Sequence, residues 1–192
     1  MKEKILEIAR EQYLEQGEKG LSMRNIAKTA GVTPMALYRY FEDKEDLQKQ
    51  LLTSAFELFG SYLQASLEGD TAEKRLMLSA NAFLSFALEQ TKYFELMFLS
   101  VDPLNSIKAQ KVIKNKSLPT FRFLQDRVRD CIDEDYFLND DSEEIAICLL
   151  SHCTGFAALH ISGTFNWTDD EIREKYLNSF KRIIAGFIAT RP

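Results

Sequence analysis

Residues 21–47 read LSMRNIAKTAGVTPMALYRYFEDKEDL, and the punctuation of this stretch decides the fold. Ser22 is a favoured helix N-cap, so a helix is expected over Met23 to Thr29. Gly31 then supplies the left-handed residue that ends such a helix. Thr33-Pro34 restarts the chain: Thr caps, and Pro takes the first helical position, where its missing N–H costs nothing. A short helix over Pro34 to Tyr40 follows from this, and Asp43 starts a longer one from Lys44 to about Leu67. Ile26, Ala27, Val32 and Leu37 would pack the two short helices across the turn Ala30-Gly31-Val32-Thr33. Two short helices joined by a tight glycine-containing turn make a helix-turn-helix.

Working outward, nearly everything keeps a helical period. Ile5, Ile8, Ala9 and Tyr13 give one apolar face to a first helix that stops at Gly17. Downstream, helices are expected from about Thr71 to Gln90 and from Tyr93 to Val101, the latter closed by Asp102-Pro103. Residues 104–134 read as one helix, or as two broken near Ser117-Leu118-Pro119. Asn139-Asp140-Asp141-Ser142 precedes an eighth helix, about Glu143 to Thr164. Thr168-Asp169-Asp170-Glu171 caps a ninth that ends near Thr190. With 8 Gly and 4 Pro in 192 residues, there is little turn material for many short strands. The expected fold is all-α, with nine helices in two domains: a three-helix head over residues 1–50 and a helical bundle over residues 51–192.

Charge is distributed unevenly. The net −5 is unusual for a nucleic-acid partner, yet residues 1–50 hold nine Lys/Arg against nine Asp/Glu, so the deficit lies in the other 142 residues. Lys19 to Phe41 contains Lys19, Arg24, Lys28 and Arg39 and no acid, a local basic patch able to face phosphates. Cys131, Cys148 and Cys153 show neither paired number nor CxxC spacing, which argues against a disulfide framework or zinc site and fits a reducing compartment. The opening MKEKILEIAREQ reads as an amphipathic helix and not as a secretion signal. Ile145 to Thr168 lacks formal charge over 24 residues. Ser151, His152, Thr154, His160, Ser162, Thr164 and Asn166 interrupt it, so burial in a helical assembly is expected over a membrane span.

The run quoted above resembles the DNA-binding domain of the TetR family of regulators. The matching residues are Gly17, Ile26, Ala27, Ala30, Gly31, Val32, Leu37, Tyr38, Tyr40, Phe41, Lys44, Glu45 and Leu47. The pattern Leu-Tyr-x-Tyr-Phe-x-x-Lys-x-x-Leu is specific, and the resemblance covers about residues 5–52. It implies a cytoplasmic transcriptional regulator whose third helix enters the major groove of double-stranded DNA, where base edges are distinguishable. Thr33, Pro34, Met35 and Arg39 are then the candidates for base or groove contact, with Arg39 able either to reach a guanine bidentately or to hold a phosphate. Tyr38, Tyr40 and Lys44 would hold phosphates, joined by Ser22 and Arg24 from the second helix. Such contacts set register and not sequence preference.

Residues 51–192 hold 13 of the 14 Phe. Phe83, Phe86, Phe94, Met97, Phe98, Phe121, His152 and Phe156 are candidates for lining a pocket for a small hydrophobic effector, although each alone reads more simply as core. The segments FALEQ (86–90) and YFELMF (93–98) resemble one TetR-type C-terminal class, with Thr91 where that class has Pro. TGFAAL (154–159) resembles its glycine-containing helix, with Thr154 in place of His. Uncharged small-and-large faces on the last two helices, with Gly155, Leu159, Ser162, Phe180, Ile184 and Phe187, suit close packing. In the resembled family these helices form a four-helix homodimer interface, which would match a palindromic operator. His152 and His160 lie eight apart, beyond the i, i+4 metal pair. No third group stands ready to orient a His152–Cys153 pair, so no metal, cofactor or catalytic residue is expected. A ligand-independent regulator or activator remains an alternative, as does a helical carrier or enzyme with an incidental helix-turn-helix.

Overall fold

The computed structural model describes residues 1–99 and 118–188. Among them are nine α-helices and no strand. They are α1 (Lys2–Gln16), α2 (Met23–Ala30), α3 (Pro34–Leu37), α4 (Lys44–Gln64), α5 (Ala72–Glu89), α6 (Thr91–Phe94), α7 (Leu118–Asp133), α8 (Ser142–Ile161) and α9 (Asp169–Ile184). Two compact units share the chain. Among the described residues, one takes 1–57 with 92–99 and the other takes 58–91 with 118–188.

In the first unit, Ile5, Ile8, Ala9 and Tyr13 bury the inner face of α1 as their spacing demands. A 3₁₀ turn, Gly17–Gly20, returns the chain. It lies so close to α1 that a Cβ on Gly20 would overlap the Gln12 carbonyl oxygen, which restricts the position to glycine. Ile26, Ala27, Leu37, Phe41 and Leu47 are fully buried and draw α2, α3 and the start of α4 together. The Gln12 side-chain amide donates to Thr29 Oγ1 at 3.0 Å and ties α1 to α2.

The second unit is stapled by polar contacts around an aromatic core. Phe83 and Phe86 of α5 pack on Phe59 of α4, with ring centroids 5.7 and 4.9 Å away. Arg75 bonds Glu134 at 2.8 Å, and the other Glu134 oxygen accepts from the Ala72 N–H at 2.8 Å, so the N-terminus of α5 is held to the end of α7. Asp141 caps α8 by accepting from the Glu143 N–H at 2.7 Å. At α9 the Thr168–Glu171 capping box is complete in both directions.

Several boundaries differ from the sequence reading. The third helix ends at Leu37, not Tyr40, and Tyr38–Tyr40 form a turn, because the Arg39 and Tyr40 N–H groups bond three residues back, to Ala36 and Leu37. Helix α4 tightens into a 3₁₀ turn at Ala65–Glu68, and α6 widens into a π-turn at Glu95–Leu99. Helix α9 stops at Ile184, where Phe187 turns to accept the Leu138 N–H at 2.8 Å. The expected ends at Val101 and Thr190, the Asp102-Pro103 closure and residues 104–117 lie outside the described residues.

Candidate nucleic-acid interface

The reading head is built by caps. Ser22 Oγ accepts from the Asn25 N–H at 3.4 Å and starts α2. Gly31 ends it at φ 70°, ψ 30°, with the Val32 N–H returning to the Ala27 carbonyl at 3.0 Å, the six-to-one bond of a Schellman turn. The left-handed conformation at Gly31 explains why glycine stands there. Thr33 Oγ1 then accepts from the Ala36 N–H at 3.1 Å and starts α3, with Pro34 at its first position.

This scaffold sorts the side chains by face. Leu37 and Phe41 point inward and are fully buried. Met35 is 81% exposed, Tyr38 53% and Tyr40 40%, large side chains with no burial to explain their exposure. Thr33, Pro34, Arg39, Arg24 and Lys44 are exposed as well, and Ser22 is half-buried under its cap. All nine candidate residues lie between the start of α2 and the start of α4, within one unit.

One charge contact escapes sequence reading. Lys44 Nζ is 3.6 Å from Glu18 Oε1, and the same oxygen accepts from the Gln48 amide at 3.4 Å. Glu18 sits in the turn after α1, so only the tertiary fold brings it to α4.

In the second unit the candidate pocket and interface residues separate. Phe83 and Phe86 are buried against Phe59, and Phe121 is half-buried on α7. Phe94 and Met97 are buried in the first unit, with Phe98 half-buried beside Phe94 at 5.1 Å. His152 lies between α8 and α9: its Nε2 meets Ser179 Oγ at 3.0 Å, and its ring faces Tyr176, Phe156 and Phe180. Burial lowers the His152 pKa below the ordinary imidazole value. Burial pushes Cys153 up to about 12, which holds the thiol protonated. The two side chains therefore do not form a base–thiolate pair.

Interface residues also part company. Gly155 and Leu159 are exposed on α8, as is Ser162 at its C-cap, and Phe187 is half-buried. Phe180 and Ile184 are instead buried within their own chain. They share the α9 face of Ile172 and Tyr176, at the four-residue spacing that buries one stripe.

A helix-turn-helix head followed by a helical bundle is the architecture of a class of bacterial regulatory proteins. The family model for bacterial regulatory proteins of the tetR family matches residues 5–51, and that for the tetracyclin repressor-like C-terminal domain matches residues 76–187. The chain belongs to the TetR family. The HTH-type transcriptional regulator Rv1816 of Mycobacterium tuberculosis is 42% identical over 53 residues, a match that spans 28% of this chain and 23% of that one. The transcriptional repressor KstR2 of Mycolicibacterium smegmatis is 26% identical over 128 residues, covering 66% of this chain and 57% of that one. Two solved structures share the fold. A putative regulator of Saccharomonospora viridis in complex with choline has TM-score 0.80 at 18% identity, covering 99% and 98% of the chains. AibR with isovaleryl coenzyme A and operator DNA has TM-score 0.73 at 17% identity, covering 93% and 96%. The family and these relatives are regulators, not enzymes.

Proposed function

We propose that this chain is a cytoplasmic, homodimeric repressor that holds a palindromic operator and leaves it when a small apolar or aromatic molecule binds its helical bundle. The observation that carries the reading is the exposed set Met35, Tyr38, Arg39 and Tyr40, displayed by a helix-turn-helix whose other side is fully buried. Met35 and Arg39, with Thr33 and Pro34, would reach base edges, where a bidentate arginine–guanine contact is worth roughly 1–3 kcal/mol of discrimination. Tyr38, Tyr40, Ser22, Arg24 and Lys44 would fix the head on phosphates.

Dimerisation is supported by α8. The helix carries no formal charge from Ile145 to Ile161, yet its own chain leaves several of its apolar side chains uncovered. Ile147 and Leu159 are 49% and 45% exposed there, beside exposed Ser151, Gly155 and Ser162. A second copy would cover this face through a two-fold, and two-fold symmetry suits half-sites ~34–36 Å apart.

That a small molecule acts as effector is supported by the complexes of two proteins of this fold, one with choline and one with isovaleryl coenzyme A. Phe83, Phe86, Phe121, His152 and Phe156, all of the second unit, would supply an apolar lining with one polar group. Such a ligand needs only a few kcal/mol of preference for the conformation that releases DNA. Mobility shift of retained genomic fragments, with and without a panel of small apolar and aromatic molecules, tests both halves. Release by at least one molecule is expected; binding unaffected by every molecule would leave a ligand-independent regulator.

A further inference from the structure

Lys44 stands where its own helix does not favour it. It is the first residue of α4, and a cation there opposes the positive end of the helix dipole. Two of the acids near it in sequence, Asp43 and Asp46, serve the backbone. Asp43 Oδ1 accepts from the Asp46 N–H at 2.7 Å, and Asp46 Oδ2 accepts from the Glu42 N–H at 3.3 Å. The carboxylate that meets the Lys44 ammonium comes from Glu18, 3.6 Å away. Both side chains are close to half exposed, so the pair is open to exchange with solvent ions.

We infer that Glu18 is an intramolecular competitor for the DNA phosphate at Lys44, a brake that lowers affinity for every DNA sequence alike. This rests on the reading of Lys44 as a phosphate contact. In the free protein Glu18 holds the ammonium against the turn after α1. On DNA a phosphate takes the ammonium over, and Glu18 keeps its hydrogen bond from Gln48, 3.4 Å away, so the carboxylate is not left without a partner. The cost of breaking the exposed pair is charged against each encounter, specific or not. The effect falls on non-specific retention, where phosphate contacts supply almost all the affinity. Glu18 is thus a tuning residue acting through Lys44, without touching DNA itself.

The test is a double-mutant cycle on binding to a random-sequence duplex over a salt series, using the full-length chain and Glu18→Gln, Lys44→Gln and the double variant. Glu18→Gln keeps the shape and can still accept from Gln48, and its thermal unfolding should shift down only by the small worth of the exposed pair. It should bind about two- to five-fold tighter at low salt, the range expected of an exposed ion pair. In the Lys44→Gln background that gain should largely vanish. Lys44→Gln alone should weaken binding and lower the salt slope by about one. An equal gain in both backgrounds would reduce Glu18 to a general repulsive charge and overturn the inference. Weaker binding by Glu18→Gln would overturn it too, by making Glu18 a support that aims Lys44. If Lys44→Gln leaves affinity and slope unchanged, the phosphate reading itself fails, an outcome distinct from the other two.

Discussion

Thr33 Oγ1 accepts the Ala36 N–H at 3.1 Å, so a side chain expected at the DNA surface also starts the helix that carries the surface. Helix α3 is a single turn, Pro34–Leu37, with little besides its cap and Leu37 to hold it. Thr33→Ala should therefore destabilise the chain by about 1 kcal/mol, the usual worth of an N-cap, and weaken DNA binding as well. Thr33→Ser should restore stability. Urea unfolding and fluorescence anisotropy on the same variants separate the two effects; full stability in Thr33→Ala would remove the cap from the account.

Met35 and Tyr38 should divide affinity from specificity. Both are exposed, at 81% and 53%, so Met35→Ala and Tyr38→Ala should unfold within about 0.5 kcal/mol of wild type. Tyr38→Ala should weaken binding to all duplexes by a similar factor. Met35→Ala should instead change the ranking of duplexes that differ at one base pair. Competition titrations with single-base variants read this directly, and an unchanged ranking would remove Met35 from base readout.

The head was more legible in sequence than the rest because its signals are local. Ser22, Gly31, Thr33 and Asp43 are caps or turns whose meaning is fixed within a few residues, and each acts in the structure as its type suggests. For Phe180 and Ile184, neither an uncharged helix face nor the family resemblance says whether the same chain or a second copy covers the apolar side chains; here their own chain does. The end of α3 is not legible in sequence, because a Leu-Tyr-Arg-Tyr run is compatible with another helical turn, whereas the chain turns after Leu37. The Glu18–Lys44 pair depends on how closely the Gly17–Gly20 turn approaches α4, and no sequence spacing encodes that.

Acid sensitivity should reside partly in two carboxylates. The Ala72 N–H, and then the Arg75 guanidinium, hold Glu134 below the ordinary carboxylate value of 4.5. The Thr168 backbone and hydroxyl do the same for Glu171. A depressed folded-state pKa adds stability above about 4.5, the unfolded value, and loses it as pH falls through the lower folded value. Glu134→Gln and Glu171→Gln should each be less stable than wild type at neutral pH and lose less on acidification. Denaturant midpoints measured from neutral pH down to about pH 3 test this, and acid limbs parallel to wild type would contradict it.

Leu159 and Phe180 should fail differently when changed. Leu159→Glu places a charge on the exposed α8 face and should yield a folded monomer by sedimentation, with operator binding weakened. Phe180→Ala empties a buried site and should cost about 3–5 kcal/mol of stability. A Leu159→Glu variant that remains dimeric would move the interface away from α8.

Selection of operator DNA by the α2–turn–α3 head is tested by incubating the protein with fragmented bacterial genomic DNA, sequencing what it retains, and repeating with a Tyr38→Ala/Arg39→Ala variant. Wild type should enrich a palindromic sequence with half-sites centred roughly one helical turn or a multiple apart, and the variant should not. No enrichment by wild type, or equal enrichment of the same sequence by the variant, would contradict the account.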